Sequence, residues 1–85
     1  MYYLVIFETG SNIHGLVKSL QKAGAGAEMI PTPTKFVKTG CGFSIKINKE
    51  DFDLLKSQTM VYNIAIKEIY MVEKDGTQFR YQRLQ

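Results

Sequence analysis

The one cysteine of the chain, Cys41, lies between Gly40 and Gly42 in the stretch KTGCGFS. Glycines on both sides strip side-chain bulk from the sulfur and let the backbone take angles that other residues avoid. That arrangement suits a thiol that must meet another molecule. The competing reading is a small buried hydrophobe, which is how free cysteine often behaves. Reactivity requires exposure and a lowered pKa. Lys35 and Lys38 lie on the same stretch, and successive N–H groups around Gly40 and Gly42 can form an anion-holding concavity. Both features favour thiolate, the nucleophilic form. A thiolate can attack a sulfane sulfur, pass through mixed disulfides, or accept a sulfur or selenium atom as a persulfide or its selenium counterpart. With no second cysteine to resolve the product, the next step needs a thiol or acceptor on another molecule. This is the chemistry of a carrier or relay more than of a self-contained oxidoreductase.

Other residues that could do chemistry have simpler explanations. His14, the only histidine, falls in the first turn of an expected helix with no identifiable third group to orient a Cys-His pair. Glu50, Asp51 and Asp53 belong to the first turn of a second helix, where the helix dipole favours acidic side chains. Met29, Met60 and Met71 read as core gap-fillers. No CxxC or Cys/His cluster suggests a metal. There is no GxGxxG, Walker loop or Ser/His/Asp arrangement, so neither metal nor cofactor is expected.

Eighty-five residues make one domain, residues 1–85, read as a core over 2–73 and a C-terminal hairpin arm over 74–85. A domain of this size is marginal alone, which favours assembly with a copy or a partner. The 45% hydrophobic content argues for a folded chain. The longest apolar run at the start, YYLVIF, is far short of a membrane span. No pattern of a secretory signal is present, so a reducing cytoplasm is the expected compartment. The net charge of +3 is unevenly placed. Residues 1–49 carry Lys18, Lys22, Lys35, Lys38, Lys46 and Lys49 against Glu8 and Glu28, a net +4, and the remainder is net −1. No block of consecutive basic residues appears, so a nucleic-acid footprint is weakly supported.

The elements that must position Cys41 follow from periodicity. YYLVIF (2–7) has the uninterrupted apolar pattern of a central strand. After Thr9 and Gly10, Ser11 is the expected N-cap of a helix whose buried face is Ile13, Leu16, Val17 and Leu20. Gly24 and Gly26 supply the stop, and AEMI (27–30) makes a second strand ended by Pro31 and Pro33. Pro31 to Gly42 has no clean period and reads as a long loop shaped by its prolines; long ordered loops are often functional. Phe43, Ile45 and Ile47 alternate with polar residues as a third strand. Asn48 caps a second helix with Phe52, Leu54, Leu55 and Thr59 inside. IAIKEIYMVE (64–73) is a fourth strand, and the Asp75-Gly76 pair turns QFRYQRL (78–84) back as an edge strand.

The fold class is therefore α+β: a ferredoxin-like β-α-β-β-α-β sandwich with an added C-terminal β-hairpin strand. Both helices cover one sheet face. Either Tyr2, Leu4 and Ile6 or Tyr3, Val5 and Phe7 must then look away from them, and an uncovered apolar patch marks an interaction surface. A homodimer through that open face is expected, with the tail folding back across the sheet as the alternative.

YLVIFET, IPTP, CGFSIKI and KEIYMVE resemble the selenium/sulfur-carrier-like family, small bacterial domains in which a proline-rich loop leads to a Cys-Gly pair. The resemblance runs from Tyr3 to about Tyr81, and its specific parts are Pro31-Thr32-Pro33 and Cys41-Gly42. It implies that Cys41 is the carrier cysteine, accepting sulfur or selenium from a donor such as a cysteine desulfurase or selenocysteine lyase and passing it to an acceptor protein. The run TKFVKTG departs from the basic and serine-rich run common in the family and is longer, with Gly40 the natural insertion.

Two other functions compete. One is a small protein-interaction or regulatory domain in which the 31–42 loop docks a partner and the thiol is incidental. The other is a single-stranded RNA-binding module that stacks bases on Tyr2 or Tyr3, Phe7 and Phe43. The third strand shares only Gly-Phe with the expected RNA-recognition pattern.

Overall fold

A computed structural model describes residues 1–8, 12–36 and 42–85. The elements are β1 (Tyr2–Phe7), α1 (Ile13–Lys22), β2 (Ala27–Pro31), β3 (Phe43–Ile47), α2 (Phe52–Val61), β4 (Ile66–Asp75) and β5 (Gln78–Arg83). The strands form one open sheet in the order β2-β3-β1-β4-β5. Every neighbouring pair is antiparallel. No helix among the described residues is long and apolar enough to cross a membrane.

Strand alternation sends Val5 and Phe7 to one side of β1 and Leu4 and Ile6 to the other. On the first side, Val5, Phe7, Ile45, Ile47 and Ile69 pack with Ile13, Leu16, Val17 and Leu20 of α1 and Leu55 of α2. Both helices therefore cover the same face, and their apolar residues are those that the helical spacing picks out. Ladder partners place Tyr2, Leu4, Ile6, Ser44, Lys46, Glu68, Tyr70, Val72 and Tyr81 on the other face.

Local details shift several boundaries. The expected cap Ser11 lies outside the described residues; the side chain of Asn12 caps α1, its Oδ1 accepting from the Gly15 N–H at 3.1 Å. Asn48 makes no side-chain cap bond. A 3-10 turn, Lys49–Asp51, precedes α2 instead, and the Asp51 carboxylate accepts from the Gly26 N–H at 2.9 Å. That bond gives Asp51 a structural task beyond the helix dipole. The hairpin loop is Gly76-Thr77, between the paired Asp75 and Gln78. Only its first residue has positive φ, +65° at Gly76, the pattern of a II′ turn rather than the I′ turn of an Asp-Gly loop.

β4 starts at Ile66, two residues later than the apolar pattern suggests, because Asn63 adopts a φ of 55° after α2. The ladder with β1 then slips: Ile6 faces Glu68 while Phe7 faces Ile66. One extra residue, Lys67, is accommodated as a bulge. Ile66 is thereby returned to the helix side with Ile69, and Glu68 joins Tyr70 and Val72 on the opposite face.

The helix-free face corrects the expectation of an uncovered apolar patch. Leu4 and Ile6 are 1% and 0% exposed, because Tyr70, Val72, Tyr2, Ile30, Phe36 and Tyr81 of the same chain close over them. The proline-rich segment folds back on the sheet and inserts Phe36, so the patch needs no second copy to cover it. The tail pairs along the edge with β4 of its own chain. The methionine reading also needs correction: Met60 is 82% exposed and Met29 39%. Met60 lies on the open side of α2 and Met29 on the edge strand β2, and of the three only Met71 is partly buried.

Candidate functional site

Three of the residues singled out from the sequence, Lys38, Gly40 and Cys41, lie outside the described residues. The segment that holds them is bounded on both sides by fixed groups. At its base, the Thr32 N–H donates to the Gly42 carbonyl at 2.9 Å, extending the β2–β3 ladder one step beyond the pair Pro31–Phe43. The hydroxyls of Thr32 and Ser44 are hydrogen-bonded to each other. Both residues are buried, so this bond satisfies polar atoms that water does not reach.

Pro31 belongs to β2, an edge strand with β3 on one side only, and there its missing N–H breaks no ladder. Pro33 accepts from the Phe36 N–H at 2.8 Å and so opens a turn. Pro31 is the last residue of the strand, and Pro33 stands at the start of the turn that ends at Phe36. Gly42 is exposed, its φ is not positive, and a β-carbon there would meet nothing within 4 Å. Neither crowding nor conformation demands glycine at this position. What remains for Gly42 is its place as the bare flank of Cys41.

Phe36 lands in an aromatic box. Its ring stacks on Tyr70, with centroids 4.3 Å apart and planes at 25°. It meets the edge of Tyr81 at 5.3 Å. Offset and edge-on contacts of this kind are the arrangements aromatic quadrupoles favour. The Lys35 ammonium stands 4.1 Å from the centre of the Tyr81 ring and 5.3 Å from that of Phe36, within cation–π range. The cationic neighbour of the cysteine segment is thus held by β5.

Polar groups brace the same box. Arg83 on β5 pairs with the Glu68 carboxylate at 3.3 Å, and Glu68 is buried. Tyr70 shares this face with Glu68, and burial followed by the charge of Glu68 holds the Tyr70 phenol above its usual value. Burial, then the neighbouring Tyr81, does the same to Tyr2. Both phenols are neutral near neutral pH. Glu8, at the same end of the sheet, pairs with Lys67 at 3.7 Å.

The remaining candidates are apart from this box. His14 is exposed on α1. No group of three or more metal-ligating side chains converges among the described residues. Of the aromatics proposed as a base-stacking platform, Phe7 is fully buried under the helices. Tyr3 packs edge-on against Phe52 of α2 at 4.7 Å. They form no common open surface.

Sequence reading missed Phe36, Tyr70, Tyr81, Thr32, Ser44 and the Glu68–Arg83 pair. For Ser44 a signal existed, since it alternates with Phe43, Ile45 and Ile47 along an expected strand. For the Phe36 box none did, because its members come from three separate elements.

No curated protein and no solved structure matches the chain. A family model does match, over residues 2–71, and that span takes in Pro31-Thr32-Pro33, the segment beyond it and Cys41-Gly42. The chain belongs to the family described as Putative Se/S carrier protein-like.

Proposed function

We propose that this protein carries sulfur or selenium on Cys41. The observation that supports the reading most is family membership across the stretch that contains Pro31-Thr32-Pro33 and Cys41-Gly42. The bonded base of that stretch, Thr32 to Gly42, agrees with a loop built to present what it holds. We read residues 1–85 as one domain. The strand order β2-β3-β1-β4 with both helices on one face supports a ferredoxin-like core, to which β5 is added.

In the loading step, the Cys41 thiolate attacks the terminal sulfur of a persulfide on a donor enzyme. A new S–S bond forms on Cys41, the donor's S–S bond breaks, and the donor thiolate leaves, with no net oxidation. Delivery repeats the exchange. An acceptor thiolate attacks the outer sulfur of the Cys41 persulfide, and Cys41 leaves as thiolate. Lys35, Lys38 and the amides at Gly40 and Gly42 stabilise the anions. Selenium follows the same path from a selenium donor.

Incubation with a cysteine desulfurase and cysteine, or with a selenocysteine lyase and selenocysteine, should add the mass of one sulfur or selenium to Cys41. Absence of the adduct on wild type, or an equal adduct on Cys41→Ser, rejects the reading.

A further inference from the structure

We propose that β5 joins two copies of this chain, its open edge pairing antiparallel with the same edge of the second copy about Tyr81. The inference does not depend on the carrier reading. β5 is the outermost strand of the sheet, and no described strand lies beyond it. Its two-residue hairpin is closed by the pair Asp75–Gln78, and from that closing pair bonded and non-bonded pairs alternate along the ladder. The backbone groups of Gln78, Arg80 and Gln82 are therefore turned to β4. Phe79, Tyr81 and Arg83 aim their N–H and C=O groups at the open side. The bonds that Ile69 makes with Leu84 and Gln85 keep the same alternation.

An edge of this kind templates another strand unless something blunts it. β2, the other edge, has five residues and ends in Pro31. β5 has six residues, no proline, no glycine and an unshifted register with β4. Self-complementarity selects a second copy as the strand that joins it. Outward-facing residues must pair with outward-facing residues, and the two such symmetric registers of longest overlap place the two-fold axis at Arg80 or at Tyr81. The first sets Arg80 directly against Arg80 of the second copy, and like charges directly opposite repel. The second sets Tyr81 against Tyr81, Phe79 against Arg83 and Arg80 against Gln82, with no two like charges opposed. Phe79, 50% exposed in the single chain, then gains a cation across the ladder. Arg83 can reach it, because its side chain is 61% exposed even while paired with Glu68. Arg80 keeps Asp75 of its own chain at 4.0 Å. The contact is isologous, so the Phe79–Arg83 and Arg80–Gln82 pairings each occur twice.

Gln82 is exposed and serves as the probe of this register. Gln82→Glu puts a carboxylate opposite Arg80 of the second copy, and Gln82→Arg puts a second cation there. Sedimentation over a concentration series should show wild type in monomer–dimer equilibrium. The dimer should be about fivefold tighter in Gln82→Glu and about fivefold weaker in Gln82→Arg. Hydrogen exchange needs no substitution. The Phe79, Tyr81 and Arg83 amides of wild type should exchange more slowly as concentration rises, while the Arg80 and Gln82 amides, bonded to β4, stay protected at every concentration. Wild type that remains monomeric up to about 1 mM overturns the proposal. So does a dimer whose affinity the two Gln82 variants leave unchanged or move in the same direction. A dimer in which the Phe79, Tyr81 and Arg83 amides exchange as fast as in the monomer overturns it too.

Discussion

Phe36 lies flat on Tyr70, 4.3 Å between ring centres, and through this contact a segment without regular structure seals the helix-free face of the sheet. Leu4 and Ile6 beneath it are buried as fully as the residues under the helices. Phe36 is therefore part of the packing over this face.

Phe36→Ala should lower unfolding stability by about 1–3 kcal/mol, the range for losing a partly buried aromatic and its stacking partner. Urea denaturation gives the number. A change below a few tenths would mean that the box contributes no packing energy and that Leu4 and Ile6 are covered by other means.

Ser44→Ala should cost about 1 kcal/mol, because it removes the buried hydrogen bond between the Ser44 and Thr32 hydroxyls at the loop base. Ser44→Ala combined with Thr32→Val should cost less than the sum of the two single variants, since each single already breaks the same bond. A double variant no better than the sum of the singles would contradict the pairing.

The Tyr70 phenol titrates above the usual tyrosine value of 10.0, raised by burial and then by Glu68. The folded chain keeps this proton after the unfolded chain has lost it. Its contribution is thus fully present below pH 10 and disappears as pH climbs through the raised value. Wild type should lose stability more steeply than Tyr70→Phe above about pH 10. Parallel curves for the two proteins in alkaline urea titrations would refute the assignment.

Gly42→Ala should fold within about 0.5 kcal/mol of wild type, as the position is open and its φ is ordinary. Sulfur loading of Cys41 should nevertheless fall, because the added methyl stands beside the thiol in sequence. Loading at the wild-type rate would remove Gly42 from the site and leave its glycine unexplained.

Much of the architecture was present in the amino-acid sequence by itself. Ile13, Leu16, Val17 and Leu20 repeat at the helical period, and β1 and β3 declare themselves by apolar runs and alternation. These signals are local, and local periodicity is what a buried helix face or strand face imposes. The resemblance on Pro31-Thr32-Pro33 and Cys41-Gly42 likewise belongs to residues close in sequence, and the family match bears it out. Tertiary structure alone decided what covers the second sheet face. Phe36, Tyr70 and Tyr81 are far apart along the chain, and they meet because the β2–β3 loop bends back while β5 returns beside β4. The bulge at Lys67 returns Ile66 to the helix side. Such contacts depend on register and chain reversal, and no spacing rule within one segment encodes them.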